Sequence, residues 1–383
     1  MSRQFLLVVA LTVAVNTGMG IIIPVLPTFL KDYGFSTAGL SLPFFCLIVG
    51  RMVSKSFSGQ IINWLSNKGT LIGCFALYTL VFVAYPYVSD GRMFLALRFL
   101  EGVVEGVSVV CLTDLAIALS TENRGKLMGY FGSAFGLGFI IGPMIGGVVF
   151  ELMGTTAMFF SGAVIGALGL LGSLLVPATQ AKPAAKAGWV RTVLSSLNYL
   201  PLYGPSLMRR VLFFSFMMVL PLYVTAELGL NAAKVALFFS GSAVISTALM
   251  PFTGRLADKM PAARIVLVSL ALMGLLIAGF GLTRNVALFV VLFAAETLAF
   301  AFMLPAGTKV FADAVDRHPE RGSVIGAFGA LTEFVTLVLA VIVPPLYALS
   351  ATTTWAALGA LCLLAALPFL QPQPAAAALP TGK

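Results

Sequence analysis

Arg51, Lys55, Arg98, Glu101, Glu105, Glu296 and Glu333 all sit deep inside long apolar stretches of this 383-residue chain. If such stretches lie in lipid, each charge costs roughly 2.5–3.5 kcal/mol on insertion scales, so an intramembrane charge marks function by default. Arg98, Glu101 and Glu105 are spaced three and four apart, which puts them on one face of a helix. Arg98 then lies roughly 10 Å from Glu105 along the helix axis. Burial favours the neutral form of a carboxyl group, so a buried glutamate can exchange a proton near neutral pH. The proton-coupling candidates are Glu105, Glu101, Glu296 and Glu333, in that order. Each could instead belong to a structural ion pair, such as Arg98 with Glu101. Arg51 and Lys55 are one turn apart and of like sign, so they repel and need anions. Those anions are glutamates of other segments or an acidic group on a substrate; Lys55 could also snorkel toward headgroups. His318, the one histidine, falls in a loop and is badly placed for proton work.

Composition dictates the elements that must hold these groups. The chain is 60% hydrophobic and 10% charged, with a mean hydropathy of +1.03. Ordinary soluble domains carry about 25% charged residues. Soluble, disordered, fibrous and coiled-coil classes are therefore excluded. A membrane helix needs about 20 apolar residues. Twelve such spans are predicted: 4–30, 38–62, 70–89, 92–118, 127–151, 156–176, 209–229, 233–254, 263–282, 286–311, 323–347 and 353–371. They are numbered 1 to 12 below. Helices are expected, because an unclosed strand cannot satisfy its backbone in lipid. The first apolar stretch is too long for a signal peptide and lacks its exit site.

The net charge of +9 is read through the positive-inside rule rather than as a nucleic-acid surface. With the N-terminus inside, sixteen Lys and Arg are cytoplasmic and four (Lys31, Arg92, Lys234, Arg284) are external. Both termini are then cytoplasmic. Cys46, Cys74, Cys111 and Cys362 fall in apolar runs without metal or disulfide spacing. Residues 177–208, rich in Pro, Ala and Lys, read as a cytoplasmic linker between halves 1–176 and 209–371. Its middle, Trp189 to Leu197, could form an interfacial helix. Residues 372–383 read as a disordered cytoplasmic tail.

The halves repeat. GQIINWLSNKG from Gly59 and GRLADKMPAAR from Gly254 lie 195 residues apart, as do Leu100-Glu101 and Ala295-Glu296. Arg124-Gly125 and Arg321-Gly322 lie 197 apart. A duplicated six-helix bundle is a known transporter plan, with the substrate site between halves near mid-membrane.

These residues resemble the major facilitator superfamily over nearly the whole chain. The family's loop motif, roughly G-x-L-A-D-R-x-G-R-K, is degraded after span 2: Gly59 remains, Asn63 replaces its Asp, and Lys68 is what is left of its basic end. The copy after span 8 keeps Gly254, Arg255, Leu256, Ala257, Asp258 and Lys259. Arg98 and Gly102 match the span-4 motif R-x-x-x-G. Gly138, Gly142, Pro143, Gly146 and Gly147 match G-x-x-x-G-P-x-x-G-G of span 5. That motif is characteristic of the twelve-span drug–proton antiporter branch and of related vesicular amine transporters. The resemblance implies an all-α fold of two pseudo-symmetric six-helix halves, proton-driven export by alternating access, and a central cavity lined by spans 1, 4, 7 and 10. It would place Glu101 or Glu105 opposite Glu296. A monomer in the cytoplasmic membrane is the family expectation.

Glycines spaced by four on span 5 allow close backbone approach, read either as tight packing or as a seal toward a span of the other half. Pro143 permits a kink. Asp258 could pair with Arg255, Lys259 or nearby helix ends, and Asp114 reads as a helix-end contact. Asn16, Arg51, Lys55, Arg98, Met217 and Tyr223 are the candidate substrate-cavity residues. Span 1 offers no carboxylate in its core, which argues mildly against purely cationic substrates. No nucleotide loop, metal motif or hydrolase motif is present, so no enzyme, metal or cofactor is expected. The leading expectation is proton-coupled efflux of a small amphipathic organic compound. The alternatives are a carrier of anionic solutes (carboxylate metabolites, siderophores or polar lipids) and a non-transporting, receptor-like member.

Overall fold

The computed structural model describes residues 2–22, 42–120, 122–177, 199–230, 232–316, 318 and 320–370. All regular structure among them is helical. Span 1 is Arg3–Ile22 as far as it is described; its prolines, Lys31, the expected linker helix and the tail fall outside the described residues. Spans 2 and 3 form one run, Leu42–Ala84, interrupted at Ser66 with φ 65°. The Ser66 carbonyl accepts from the Thr70 hydroxyl at 2.7 Å, which anchors the restart. Span 4 is Gly91–Leu119. Spans 5 and 6 form a second run, Arg124–Leu174, turning at Gly154 with φ 82°, a conformation that a Cβ disfavours.

Span 7 is Leu200–Leu222 and starts earlier than 209. Pro201 sits in its first turn, where the missing N–H is no loss. After Pro221 the helix widens into a π turn, Tyr223–Glu227, closed by Leu228 N donating to Tyr223 O at 3.2 Å. Spans 8 to 12 are Ala232–Lys259, Ala262–Phe280, Val286–Val315, Arg321–Leu349 and Ala351–Ala366. The runs 42–87 and 124–174, at 46 and 51 residues, are long enough to cross a bilayer twice each.

The chain clusters into two compact units. The first is Met1–Leu119, Ala134–Leu194 and Pro319–Glu333; the second is Ser120–Ser133, Ser195–His318 and Phe334–Lys383. The start of span 11 thus belongs with the first unit, and the start of span 5 with the second. In the first unit Tyr78, Phe82, Tyr85, Phe94 and Phe159 form an aromatic core. In the second, Phe216, Phe280, Phe289 and Phe293 gather around Trp355. Other large apolar side chains point outward. On span 6, Phe160, Val164, Leu168, Leu171 and Leu175 are exposed along one stripe. In water that patch would be an aggregation surface; in a multi-pass membrane protein it faces lipid.

Candidate functional site

Four of the singled-out charges meet inside the first unit. Arg51 Nη1 donates to both oxygens of Glu105, at 3.1 and 3.3 Å. Arg51 Nη2 lies 3.1 Å from Glu333 Oε2, and Lys55 Nζ lies 2.6 Å from Glu333 Oε1. Spans 2, 4 and 11 therefore contribute two cations and two carboxylates to one buried cluster. The like-charged pair on span 2 has the anions it needs, and Lys55 points inward rather than snorkelling. Glu333, last in the sequence order, bridges both cations with one carboxylate. All four side chains are nearly closed to solvent, so each charge depends on the others for compensation.

Glu101 turns away from this cluster. Its Oε2 accepts from Arg98 Nη1 at 3.2 Å and from the Tyr85 hydroxyl at 2.5 Å. Arg98 also stacks over the rings of Tyr85 and Phe94, at 5.5 Å each. Span 4 thus presents Glu105 to span 2 and Glu101 to the aromatic core, although their spacing put both on one helix face. Two charges four residues apart share a helix face, yet long side chains can still reach different neighbours. Glu296 is buried in the second unit near Cys362, with no ion pair or hydrogen bond among the described residues.

Of the other cavity candidates, Asn16 is buried and donates to Thr12 O at 2.8 Å. Met217 is about half exposed on span 7. Tyr223, expected on a cavity wall, is wholly buried. Its hydroxyl lies 2.5 Å from the carbonyl oxygens of Phe280 and Thr283 and accepts from Arg284 Nη1 at 2.9 Å. Those bonds brace the π turn and leave the hydroxyl nothing to offer a ligand. The second unit does hold a cavity of about 440 Å³, lined mostly by apolar groups such as Phe238, Val290 and Phe293. Ser242 and Thr297, whose hydroxyls are 3.3 Å apart, supply its polar lining.

The motif glycines Gly138, Gly142 and Gly146 pack against span 1, within the first unit. A Cβ at Gly138 would lie 2.4 Å from Asn16 Cβ, one at Gly142 2.3 Å from Thr17 O, and one at Gly146 2.0 Å from Ile21 O. Pro143 Cδ presses on Gly20, and Gly147 has open space. The contact with span 8 is made by an earlier stretch of span 5. There Gly125 abuts Gly254, and Gly129 abuts the Met250 carbonyl.

Asp258 caps that stretch. Its carboxylate accepts from the backbone N–H groups of Gly125 and Lys126, at 2.6 and 2.8 Å, and Lys309 Nζ stands 3.6 Å away. The helix N-terminus takes the negative charge, as its dipole favours. Arg255 instead stacks on Phe252. Asn63 forms no comparable cap among the described residues. In the first unit the carboxylate is Asp114, which accepts from Arg321 Nε at 2.7 Å and from Asn67 Nδ2 at 3.0 Å. Asn67 occupies a basic position of the resembled loop motif, so the loop keeps a donor there. Sequence reasoning missed the ties of Arg124 to Asp313 and Asp316, at 2.8 and 2.6 Å. The repeated Arg-Gly pairs at 124 and 321 were the available signal.

The sequence model of the Major Facilitator Superfamily matches residues 8–218 and 202–383. The quinolone resistance protein NorA of Staphylococcus aureus is 27% identical over 237 residues, 59% of this chain and 60% of that protein. The class H tetracycline resistance protein of Pasteurella multocida is 26% identical over 195 residues, 49% of this chain and 48% of that protein. The match thus spans about 60% of NorA's length and about half of the tetracycline protein's. Among solved structures, the human organic anion transporter MFSD10 (TETRAN) superposes with a TM-score of 0.80 at 17% identity, over 96% of this chain and 99% of that one. The proton:xylose symporter XylE, bound to 6-bromo-6-deoxy-D-glucose, superposes with a TM-score of 0.74 at 13% identity, over 95% and 94%. At those identities the likeness is one of fold.

Proposed function

This chain belongs to the Major Facilitator Superfamily, and from that premise we propose that it is a secondary active transporter that exports a small amphipathic organic compound in exchange for protons. The observation that carries the reading is the buried cluster of Arg51, Lys55, Glu105 and Glu333. Four charges in the middle of apolar helices are costly, and a carboxylate held there between cations is a group whose protonation changes the local charge balance. Similarity to two drug-resistance proteins supports export of organic compounds. The apolar cavity with its paired hydroxyls suits the body of such a substrate. The protein would work by alternating access as a monomer in the cell membrane, with both termini cytoplasmic. The experiment is substrate-driven proton flux in proteoliposomes with an imposed pH gradient. Glu105→Gln is expected to abolish coupling. Retained pH-dependent exchange in that variant would sink the assignment.

A second reading, a carrier of anionic solutes, draws on Arg51 and Lys55. If the cluster loosens during transport, these cations become partners for an acidic group. A ligand that binds only the folded state raises its melting temperature. Stabilisation by organic anions, lost in Arg51→Ala/Lys55→Ala, would favour this reading. Stabilisation by organic cations, unaffected by the double change, would favour the first.

A further inference from the structure

Because the sequence is duplicated, one half of the chain serves as a control for the other. At the 195-residue offset, Gly50, Gly102 and Gly106 correspond to Ile245, Thr297 and Ala301. The three glycines hold spans 2 and 4 in close contact. A Cβ at Gly50 would lie 2.2 Å from Phe99 O, one at Gly102 2.1 Å from Leu47 O, and one at Gly106 2.2 Å from Ser54 Oγ. Spans 8 and 10 do not close in this way. They touch where Thr253 Oγ1 donates to Ala301 O at 2.6 Å, but Ile245 and Thr297 carry side chains where the first half has none. The cavity of about 440 Å³ lies between these two spans, within the second unit, with Ile245 and Thr297 in its wall.

The lining has a definite chemistry. Thr297 Oγ1 donates to Ser242 Oγ at 3.3 Å. The Ser242 proton has no acceptor among the described residues, so the hydroxyl pair ends in one free donor in the cavity wall. Phe238 and Phe293 meet edge to face beside it, with ring centroids 5.2 Å apart at 79°. No charged side chain lines the cavity among the described residues. A charged group that entered would lose its water and gain no counter-ion. An uncharged aromatic group would add ring packing, worth about two- to tenfold in affinity beyond its area. Gly241 keeps the space. A glycine within a helix costs stability relative to alanine, and close backbone approach is the usual reason for one. Gly241 has no such contact: a Cβ there meets nothing within 4 Å, and the position lines the cavity. Its counterpart at the same offset is Cys46.

We propose that the cavity between spans 8 and 10 selects an uncharged aromatic group bearing one hydrogen-bond acceptor, and that Gly241 is the specificity-determining residue that keeps it open to that group. The acceptor takes the Ser242 proton, and the ring lies against Phe238, Val290 and Phe293. This selectivity deepens the transporter reading, on which it rests, by naming the chemical class of the exported compound.

The probe is tritiated acetylnaphthalene, a planar uncharged ketone, bound by equilibrium dialysis to full-length protein in nanodiscs. Empty nanodiscs correct for partition into lipid. Saturable binding is expected in the parent. Gly241→Leu fills open space with a better helix former, so it is expected to melt no lower than the parent. Its affinity for the probe is expected to fall about tenfold or more, since the added side chain occupies the ligand's place. Ser242→Ala is expected to weaken acetylnaphthalene about fivefold and to leave naphthalene, which has no acceptor, unchanged; a general loss of fold would weaken both. Naphthoate has the ring and a charge, and octanone has the acceptor and no ring. Each is expected to compete about tenfold more weakly than acetylnaphthalene, or worse. Absence of saturable binding in the parent, or equal binding by the parent and Gly241→Leu, overturns the proposal. So does naphthoate or octanone competing as well as acetylnaphthalene; the octanone result would mark the cavity as a seat for an acyl chain. The assay needs no gradient. The expected selectivity without proton-driven flux would refute the transporter reading alone, and proton-driven flux of aromatic compounds unchanged in Gly241→Leu would refute the selectivity alone.

Discussion

The four-charge cluster makes a quantitative demand on stability. Arg51 and Lys55 balance Glu105 and Glu333 at N–O distances of 2.6 to 3.1 Å, all nearly closed to solvent. At an effective dielectric of about 20, charge centres about 4 Å apart attract by about 4 kcal/mol. Desolvation offsets most of that gain in the intact cluster, so the cluster itself adds little net stability. Breaking it is different. Glu333→Gln leaves two cations and one anion, and Lys55→Met leaves one cation and two anions. Each is expected to cost about 3–5 kcal/mol, because a buried charge loses its partner. Together the two changes leave the Arg51–Glu105 pair neutral by itself. The double variant is expected within about 1 kcal/mol of the parent, since apolar replacement of a whole buried pair is often neutral. Equilibrium unfolding by SDS in mixed micelles, followed by circular dichroism, measures all four corners of the cycle. Additive losses, with the double variant as unstable as the two singles combined, would refute mutual compensation.

Four further substitutions test local packing and hydrogen bonds. Gly326→Ala would put a Cβ 2.3 Å from Lys55 O and is expected to cost about 1–3 kcal/mol by overpacking. Gly147→Ala, with no neighbour within 4 Å, is expected to be neutral or to stabilise by up to about 1 kcal/mol; the same unfolding assay compares them. Asp258→Ala removes the cap on span 5, at a cost of about 0.5–2 kcal/mol. Hydrogen exchange at the Gly125 and Lys126 amides should accelerate, and unchanged protection there would contradict the cap. Tyr223→Phe removes the hydroxyl that ties the π turn to Phe280, Thr283 and Arg284, with an expected loss of about 1–3 kcal/mol in a detergent melt.

The family was legible in short motifs, because loop ends and glycine spacings are local in sequence. The span-5 glycines read correctly as a surface for close approach. Spacing identifies a face and says nothing of what lies against it, which is span 1 for Gly138, Gly142 and Gly146 and span 8 for Gly132. The substitute pairing of Asp114 with Arg321 and Asn67 escaped notice, since it joins residues far apart in the chain.

Sequence alone determined the solvent this protein lives in, the helical class, the duplicated halves and the short list of buried charges. Composition and apolar run length decide those matters residue by residue, through the cost of leaving peptide groups or charges in lipid. Tertiary structure alone decided which charge meets which. Glu105 is 54 residues from Arg51, and Glu333 is 278 from Lys55. An amphipathic helix announces its inward face by its polar stripe. These helices are apolar nearly all round, so rotation about each axis, and with it every ion pair, is set by glycine contacts and side-chain packing between helices.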